Sequence, residues 1–164
     1  MLYTTMATPV GELLVCGDGT QIAGIHFACS PYRPEVAIGW RAQPDVFAAA
    51  REQLYEFFHG RRTHFDLPLR EPAGTPFLRD VWAAVGRVPY GSTSTYAAIA
   101  TELSRPRSAR AVGLANARNP FAIVVPCHRL LGRTSALRGY AGGLDAKRFL
   151  LDHEARISHG RLIA

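Results

Sequence analysis

The feature that most restricts this chain is a change of hydrophobic period at Glu71-Pro72-Ala73-Gly74. Before it, apolar residues come in short runs cut by turn residues. Leu2 to Met6 is a brief Thr-rich run, Pro9-Val10-Gly11 a turn, Leu13-Leu14-Val15 a second run, Gly17-Asp18-Gly19 a second turn and Ile22 to Phe27 a third run. This spacing predicts an antiparallel meander. Pro31, Pro34 and Pro44 make residues 30–44 a loop. Asp45 is placed to cap a helix running to about His59, with Val46, Ala49, Leu54, Phe57 and Phe58 as its apolar stripe and Gly60 as its stop. His64 to Leu69 alternates like one further strand.

After the break the period is helical. Phe77, Val81, Trp82 and Val85 recur at helix spacing until Val88-Pro89-Tyr90-Gly91 interrupts them. Thr95 to Leu103 and Ser108 to Ala117 read as two short helices joined at Ser104-Arg105-Pro106. That is a helix-turn-helix pattern, which many helical pairs share without touching DNA. Asn119-Pro120 stops the second helix, Phe121 to Val125 reads as a short extended run, residues 132–143 are Gly-rich and loop-like, and Leu144 to Glu154 reads as a last helix. The expectation is an α/β domain over residues 1–70, with a small antiparallel sheet and a helix, and a mostly helical domain over residues 75–164.

Charge changes at the same break. Residues 1–70 hold 6 Lys+Arg against 7 Asp+Glu, and residues 71–164 hold 13 against 6, so the formal charge of +6 lies wholly in the second half. A basic half beside a neutral one points to a polyanion partner or to a solvated basic surface. No run of about 18 apolar residues is present and no basic start precedes an apolar stretch, so the expectation is a soluble cytoplasmic protein, or a nuclear one, with no membrane contact. Cys16, Cys29 and Cys127 form no CxxC pair, so neither a zinc site nor a redox motif is expected. Cys16 and Cys29 read as small hydrophobic side chains.

Cys127 differs, because it lies between Pro126 and His128. A thiolate is a strong nucleophile and a thiol is not, so a reactive cysteine needs a neighbouring base or positive charge. His128 is such a base, and a carboxylate such as Glu154 on the last helix would orient it. On residue types alone, a buried structural cysteine beside a surface histidine is equally open.

Val125-Pro126-Cys127-His128-Arg129 resembles the active-site signature of the methylated-DNA–protein-cysteine methyltransferases. Other segments of that family are similar and in order: Gly74-Thr75-Pro76-Phe77, Val81-Trp82, Val88-Pro89-Tyr90-Gly91, Ser94-Thr95-Tyr96, Arg110-Ala111-Val112-Gly113, Asn119-Pro120 and Gly139-Tyr140-Ala141-Gly142-Gly143-Leu144. The resemblance is dense from residue 74 to residue 154 and looser before it.

The resemblance implies a ribonuclease H-like N-terminal domain without a catalytic role of its own. It also implies irreversible transfer of an alkyl group from O6-alkylguanine in double-stranded DNA, and more weakly from O4-alkylthymine, to Cys127. His128 would deprotonate Cys127 through a water, with Glu154 holding the imidazole. Asn119 would tie the hinge, and Arg110 would enter the duplex and fill the vacated base position. Tyr96 would press on a phosphate and offer its hydroxyl to the leaving base. Ala111 and Gly113, with Ser108 and Ala109, would keep the second helix slim enough for the minor groove. Tyr140, Ala141 and the carbonyls of Cys127 and Leu130 would line the base pocket. Arg129 would serve in a structural ion pair.

The resemblance further implies a monomer that needs no cofactor, no metal and no obligate protein partner. Leu130, Arg133 and Arg138 depart from the pattern, the two arginines bringing long side chains to the pocket approach. Two rivals remain at this point. A helix-turn-helix regulator would bind DNA without chemistry, and a cysteine hydrolase would turn over and need an oxyanion hole.

Overall fold

In the computed structural model, which describes residues 1–134 and 137–161, strands β1 (Leu2–Thr8), β2 (Gly11–Gly17) and β3 (Ile22–Phe27) form the expected meander. Leu13 pairs with Met6 on one side and Phe27 on the other. Alternation then sends Leu13, Val15, Ile25 and Phe27 to one face, where all four are buried in a single core. Leu14, Cys16 and His26 share the opposite face and are also buried. The sheet order is β3-β2-β1-β4, because β4 (Arg41–Ala42) runs parallel to β1. This short strand lies in the stretch expected to be all loop, and it makes the sheet mixed rather than purely antiparallel. The open edge of β1 explains it: Met1 and Tyr3 carbonyls accept from Arg41 and Gln43 amides at 3.1 and 2.9 Å.

Helix α1 (Ala48–Phe58) begins later than expected, after a 3-10 turn over Pro44–Phe47, and the Asp45 side chain makes no capping hydrogen bond. A 3-10 turn winds more tightly than an α-helix and shifts the buried face. The buried stripe is therefore Phe47, Ala50, Leu54 and Phe57, while Val46 and Ala49 face outward. Gly60 follows with φ +71°, as a left-handed helix stop. His64 to Leu69 is not a strand. Only Leu69 bridges Ile22, and Pro68 just before it has no amide to donate to a ladder.

Helices α2 (Pro76–Gly86) and α3 (Tyr96–Glu102) start at Thr75 and Thr95, whose hydroxyls accept from Leu78 and Ala98 amides at 3.4 and 3.0 Å. Short strand β5 (Ser94–Thr95) pairs in parallel with β6 (Leu130–Leu131). Helix α4 (Ala109–Ala117) follows the connection 103–108 and packs on α3 and α2. Val81, Val85, Ile99, Val112, Ala115 and Leu130 form a second core. Helix α5 (Leu144–Arg161) runs past the expected end at Glu154, so Glu154 lies inside the helix. The first core is not confined to the first half of the chain: Phe121, Ile123, Ala146 and Leu150 are buried in it. No helix among the described residues is long and apolar enough to cross a membrane.

Trp82 joins α2 to α4 through its indole N–H, which donates to the Ala115 carbonyl at 2.8 Å inside the protein. Trp82→Phe keeps most of the apolar bulk and loses this bond. The expected cost is about 1 kcal/mol, read as a lower urea midpoint at unchanged slope.

Candidate active site

Cys127 opens a short 3-10 turn, Cys127–Arg129, wedged between the two cores. The turn is held from behind by α4. Asn116, four residues before the break into Pro120, donates to the Cys127 carbonyl at 3.1 Å. Asn119 does more. Its amide group donates to the Val125 carbonyl at 2.8 Å and the Phe121 carbonyl at 3.3 Å, and lies 3.1 Å from the Cys127 sulfur. Its oxygen accepts from the Phe121 amide at 2.9 Å.

One side chain thus gathers both ends of residues 121–125, and the extended run expected there is instead a turn. Ala122 bridges Val125, and Ile123 takes φ +72°. That conformation is costly for a β-branched residue. It persists here because the Ile123 side chain is buried in the first core and both carbonyls are tied.

On the other side Glu154 collects the donors of the turn. Its carboxylate accepts from His128 Nε2 at 2.7 Å, from Arg129 at 2.8 and 2.9 Å, and from the Gly91 amide at 3.0 Å. The third guanidinium nitrogen of Arg129 donates to the Val88 carbonyl at 2.6 Å. Gly91 has φ +73°, and a Cβ there would lie 2.1 Å from the Ser158 hydroxyl, so only glycine brings its amide this close to α5. Burial alone would raise the Glu154 carboxyl. The hydrogen bonds and charges of His128 and Arg129 outweigh it and hold the group at about 2.

His128 is fully buried, and burial pushes it below its ordinary 6.5 despite the pull of Glu154. Arg129 already balances the single negative charge, so the imidazole gains little by protonation. Its Nδ1 has no hydrogen-bond partner among the described residues. The arrangement is a neutral imidazole with Nε2 committed and Nδ1 available as a base.

Burial pushes the Cys127 thiol up, while Asn119, Tyr140 and Lys147 pull it down. The buried Tyr140 hydroxyl reaches the sulfur only loosely and closes no bond of ordinary geometry. Lys147, the only lysine in the chain, is fully buried. Its ammonium donates to the Leu130 carbonyl at 2.6 Å, the Arg138 carbonyl at 3.1 Å and the Tyr96 hydroxyl at 3.4 Å. Burial lowers it to about 8, against the opposing attraction of Cys127. Burial also raises the half-buried Tyr96.

Cys127, His128, Glu154, Asn119, Tyr96, Tyr140 and Leu130 therefore come together in one place. Arg110 and Ala111 do not: they lie on the exposed face of α4, with Gly113 half-buried beside Tyr96. Arg105, Arg107 and Arg118 are exposed near the two ends of α4. Arg133 and Arg138 are exposed, and Ser135 and Ala136 between them lie outside the described residues.

Sequence reasoning missed Lys147 and Asn116. A lone lysine in an arginine-rich chain was the available signal for the first, since a buried lysine can shift its pKa and shed its charge, whereas arginine stays charged. Both carbonyls expected to line a base pocket are already engaged, Leu130 by Lys147, and Cys127 by Asn116 and by the Leu130 amide. Among the described residues no group of three His, Cys, Asp or Glu side chains is placed to hold a metal ion.

The family described as 6-O-methylguanine DNA methyltransferase, ribonuclease-like domain, matches residues 1–70, and its DNA binding domain matches residues 76–156. A methylated-DNA–protein-cysteine methyltransferase of Methanosarcina acetivorans is 43% identical over 154 residues, covering 94% of this chain and 98% of that one. One from Mycolicibacterium paratuberculosis is 44% identical over 160 residues, covering 98% and 96%. A crystal structure of the Mycobacterium tuberculosis OGT in complex with DNA superposes with a TM-score of 0.89 at 39% identity, over 96% of this chain and 94% of that one. With both family domains matched in order and whole-length relatives well above 30% identity, this chain belongs to the methylated-DNA–protein-cysteine methyltransferase family.

Proposed function

We propose that the protein repairs DNA by moving an alkyl group from the O6 atom of guanine to the sulfur of Cys127, once per molecule. The observation that supports this best is the buried chain Cys127, His128, Glu154, Arg129, with the His128 Nδ1 unpartnered among the described residues. Cys127 gives its proton to Nδ1 across one water, and Glu154 and Arg129 hold the resulting imidazolium in place. The sulfur attacks the alkyl carbon as the carbon–O6 bond breaks. The electron pair leaves with guanine, which takes up a proton, and the Tyr96 hydroxyl beside Lys147 is the donor at hand. The product thioether is not a leaving group under these conditions, so the site is spent.

A base in a duplex is shielded by its neighbours, and a buried cysteine reaches its alkyl group only if the nucleotide is rotated out. The exposed side of α4 is suited to that task. Its alanine and glycine positions allow close approach, Arg110 is exposed among them, and the exposed flanking arginines supply positive charge for phosphate. O4-alkylthymine is a weaker substrate in this reading. The protein acts as a monomer in the cytoplasm, with residues 1–70 as a structural unit and residues 75–164 carrying the DNA contacts and the acceptor. A purely DNA-binding regulator has no use for a desolvated thiol next to a base that an acid holds in place.

Mixing the protein with a duplex containing O6-methylguanine should raise its mass by one methyl group in place of one hydrogen. Peptide mapping should place the change on Cys127. A mass change on Cys16 or Cys29, or repeated turnover by one molecule, would overturn the proposal. A second test separates base rotation from chemistry. Arg110→Ala should slow repair of duplex DNA by about tenfold or more, and leave reaction with free O6-methylguanine base nearly unchanged, because a free base has no stack to leave. Equal losses on both substrates would show that Arg110 acts on folding or on the reaction itself.

A further inference from the structure

The base-pocket loop, residues 139–143, is held from the N-terminal sheet, although the family resemblance assigns that half no catalytic role. Phe27 closes β3 and is almost wholly buried. Its ring meets the Tyr140 ring edge-on, with centroids 5.4 Å apart and planes at 67°. Two residues on, Gly142 lies directly against the same ring: a Cβ built there would sit 2.9 Å from three of its carbons. No side chain fits between them. Cys29, just past the end of β3, donates its thiol to the Ala141 carbonyl at 3.6 Å. The loop then closes through the Gly143 amide on the Tyr140 carbonyl at 3.0 Å, and Gly143 immediately precedes the helix that carries Lys147 and Glu154.

Each residue of the loop from 140 to 142 is thus touched by one of two residues of the N-terminal half, Phe27 or Cys29. Tyr140, pressed by Phe27 on one side, has its hydroxyl buried beside the Cys127 sulfur on the other. The lever is short. Displacing the ring moves the loop that faces the reacting atom, and a shift of about 1 Å at such a position is enough to lower a rate up to a hundredfold.

We propose that Phe27 is a positioning residue for alkyl transfer: its ring sets the Tyr140–Gly142 loop against Cys127, so the N-terminal sheet forms part of the reactive pocket. This rests on Cys127 being the alkyl acceptor. The role is distinct from general core packing, because Phe47, in the same core, lies by the Ile22 end of β3 and lines no part of the loop.

The test is a double-mutant cycle read as the single-turnover rate with free O6-methylguanine and with duplex DNA, at a temperature where melts show every variant folded. Phe27→Leu should slow both substrates by a similar factor of about tenfold or more, whereas Phe47→Leu should not. Gly142→Ala, which drives a methyl group into the ring, should also slow both. With Phe27→Leu already present, Gly142→Ala should add little, because the obstructing ring is gone. Two results would overturn the proposal: equal rates for Phe27→Leu and Phe47→Leu, or losses for Phe27→Leu and Gly142→Ala that simply multiply. If Phe27→Leu does not fold, Gly142→Ala alone decides, and an unchanged rate for it refutes the role of the ring. Failure of the underlying reading shows separately, as no alkylation of Cys127 in the unsubstituted protein.

Discussion

A carboxylate 1% exposed to solvent dictates much of what surrounds it. Glu154 sits inside α5, and leaving its charge unpaired there would cost several kcal/mol. The protein meets this with four donors drawn from two separate stretches of chain: Gly91 after α2, and His128 and Arg129 from the turn that starts at Cys127. The same bonds that satisfy the acid fix the Cys127 turn against α5 and place the imidazole with one face committed. Structural and chemical roles are therefore inseparable at this position. The depressed values of Glu154 and His128 also act in one direction on folding. Their contribution is present near neutral pH and fades as pH falls below 6.5 for His128, then from 4.5 toward 2 for Glu154.

Asn119 is the counterpart on the other side. Its three donor contacts and one acceptor contact convert residues 121–125 into a tight turn and bring its amide to the thiol. The left-handed Ile123 is a by-product of that closure, stabilised by burial of its side chain among Phe27's neighbours in the first core. The Cys127 turn is thus clamped between a helix acid and a hinge amide. The loop at residues 140–142 leans on the N-terminal sheet. A division into a structural half and a working half does not describe these contacts, since the first core takes residues from both.

Local chemistry made parts of this legible before any coordinates. Turn residues at Pro9-Val10-Gly11 and Gly17-Asp18-Gly19 announced β1 to β3, and threonines 75 and 95 announced helix starts. The Pro126-Cys127-His128 run pointed to a candidate nucleophile and base, with Glu154 as a candidate orienting acid, and the resemblance added Asn119, which no local pattern could have paired with Cys127. What failed was decided by distant partners. β4 exists because the edge of β1 lies open beside it. Residues 121–125 fold back because Asn119 draws both ends in. The stripe of α1 is offset by a 3-10 turn that the sequence did not advertise. Lys147 could have been suspected from its being the only lysine, but its three acceptors, two of them backbone carbonyls, have no signature in residue types.

The central claim is that Arg129 neutralises Glu154, so that His128 stays neutral and keeps Nδ1 free to take the Cys127 proton. Nitrogen-15 NMR of the His128 ring, assigned by comparison with His128→Gln, reads this directly in the resting protein at pH 7. The account predicts a neutral imidazole with its proton on Nε2 and a bare Nδ1, remaining neutral on acidification past 6.5, where an ordinary histidine is half protonated. An imidazolium at pH 7, or a proton resident on Nδ1, would contradict it, because neither form could accept the proton that the thiol must lose.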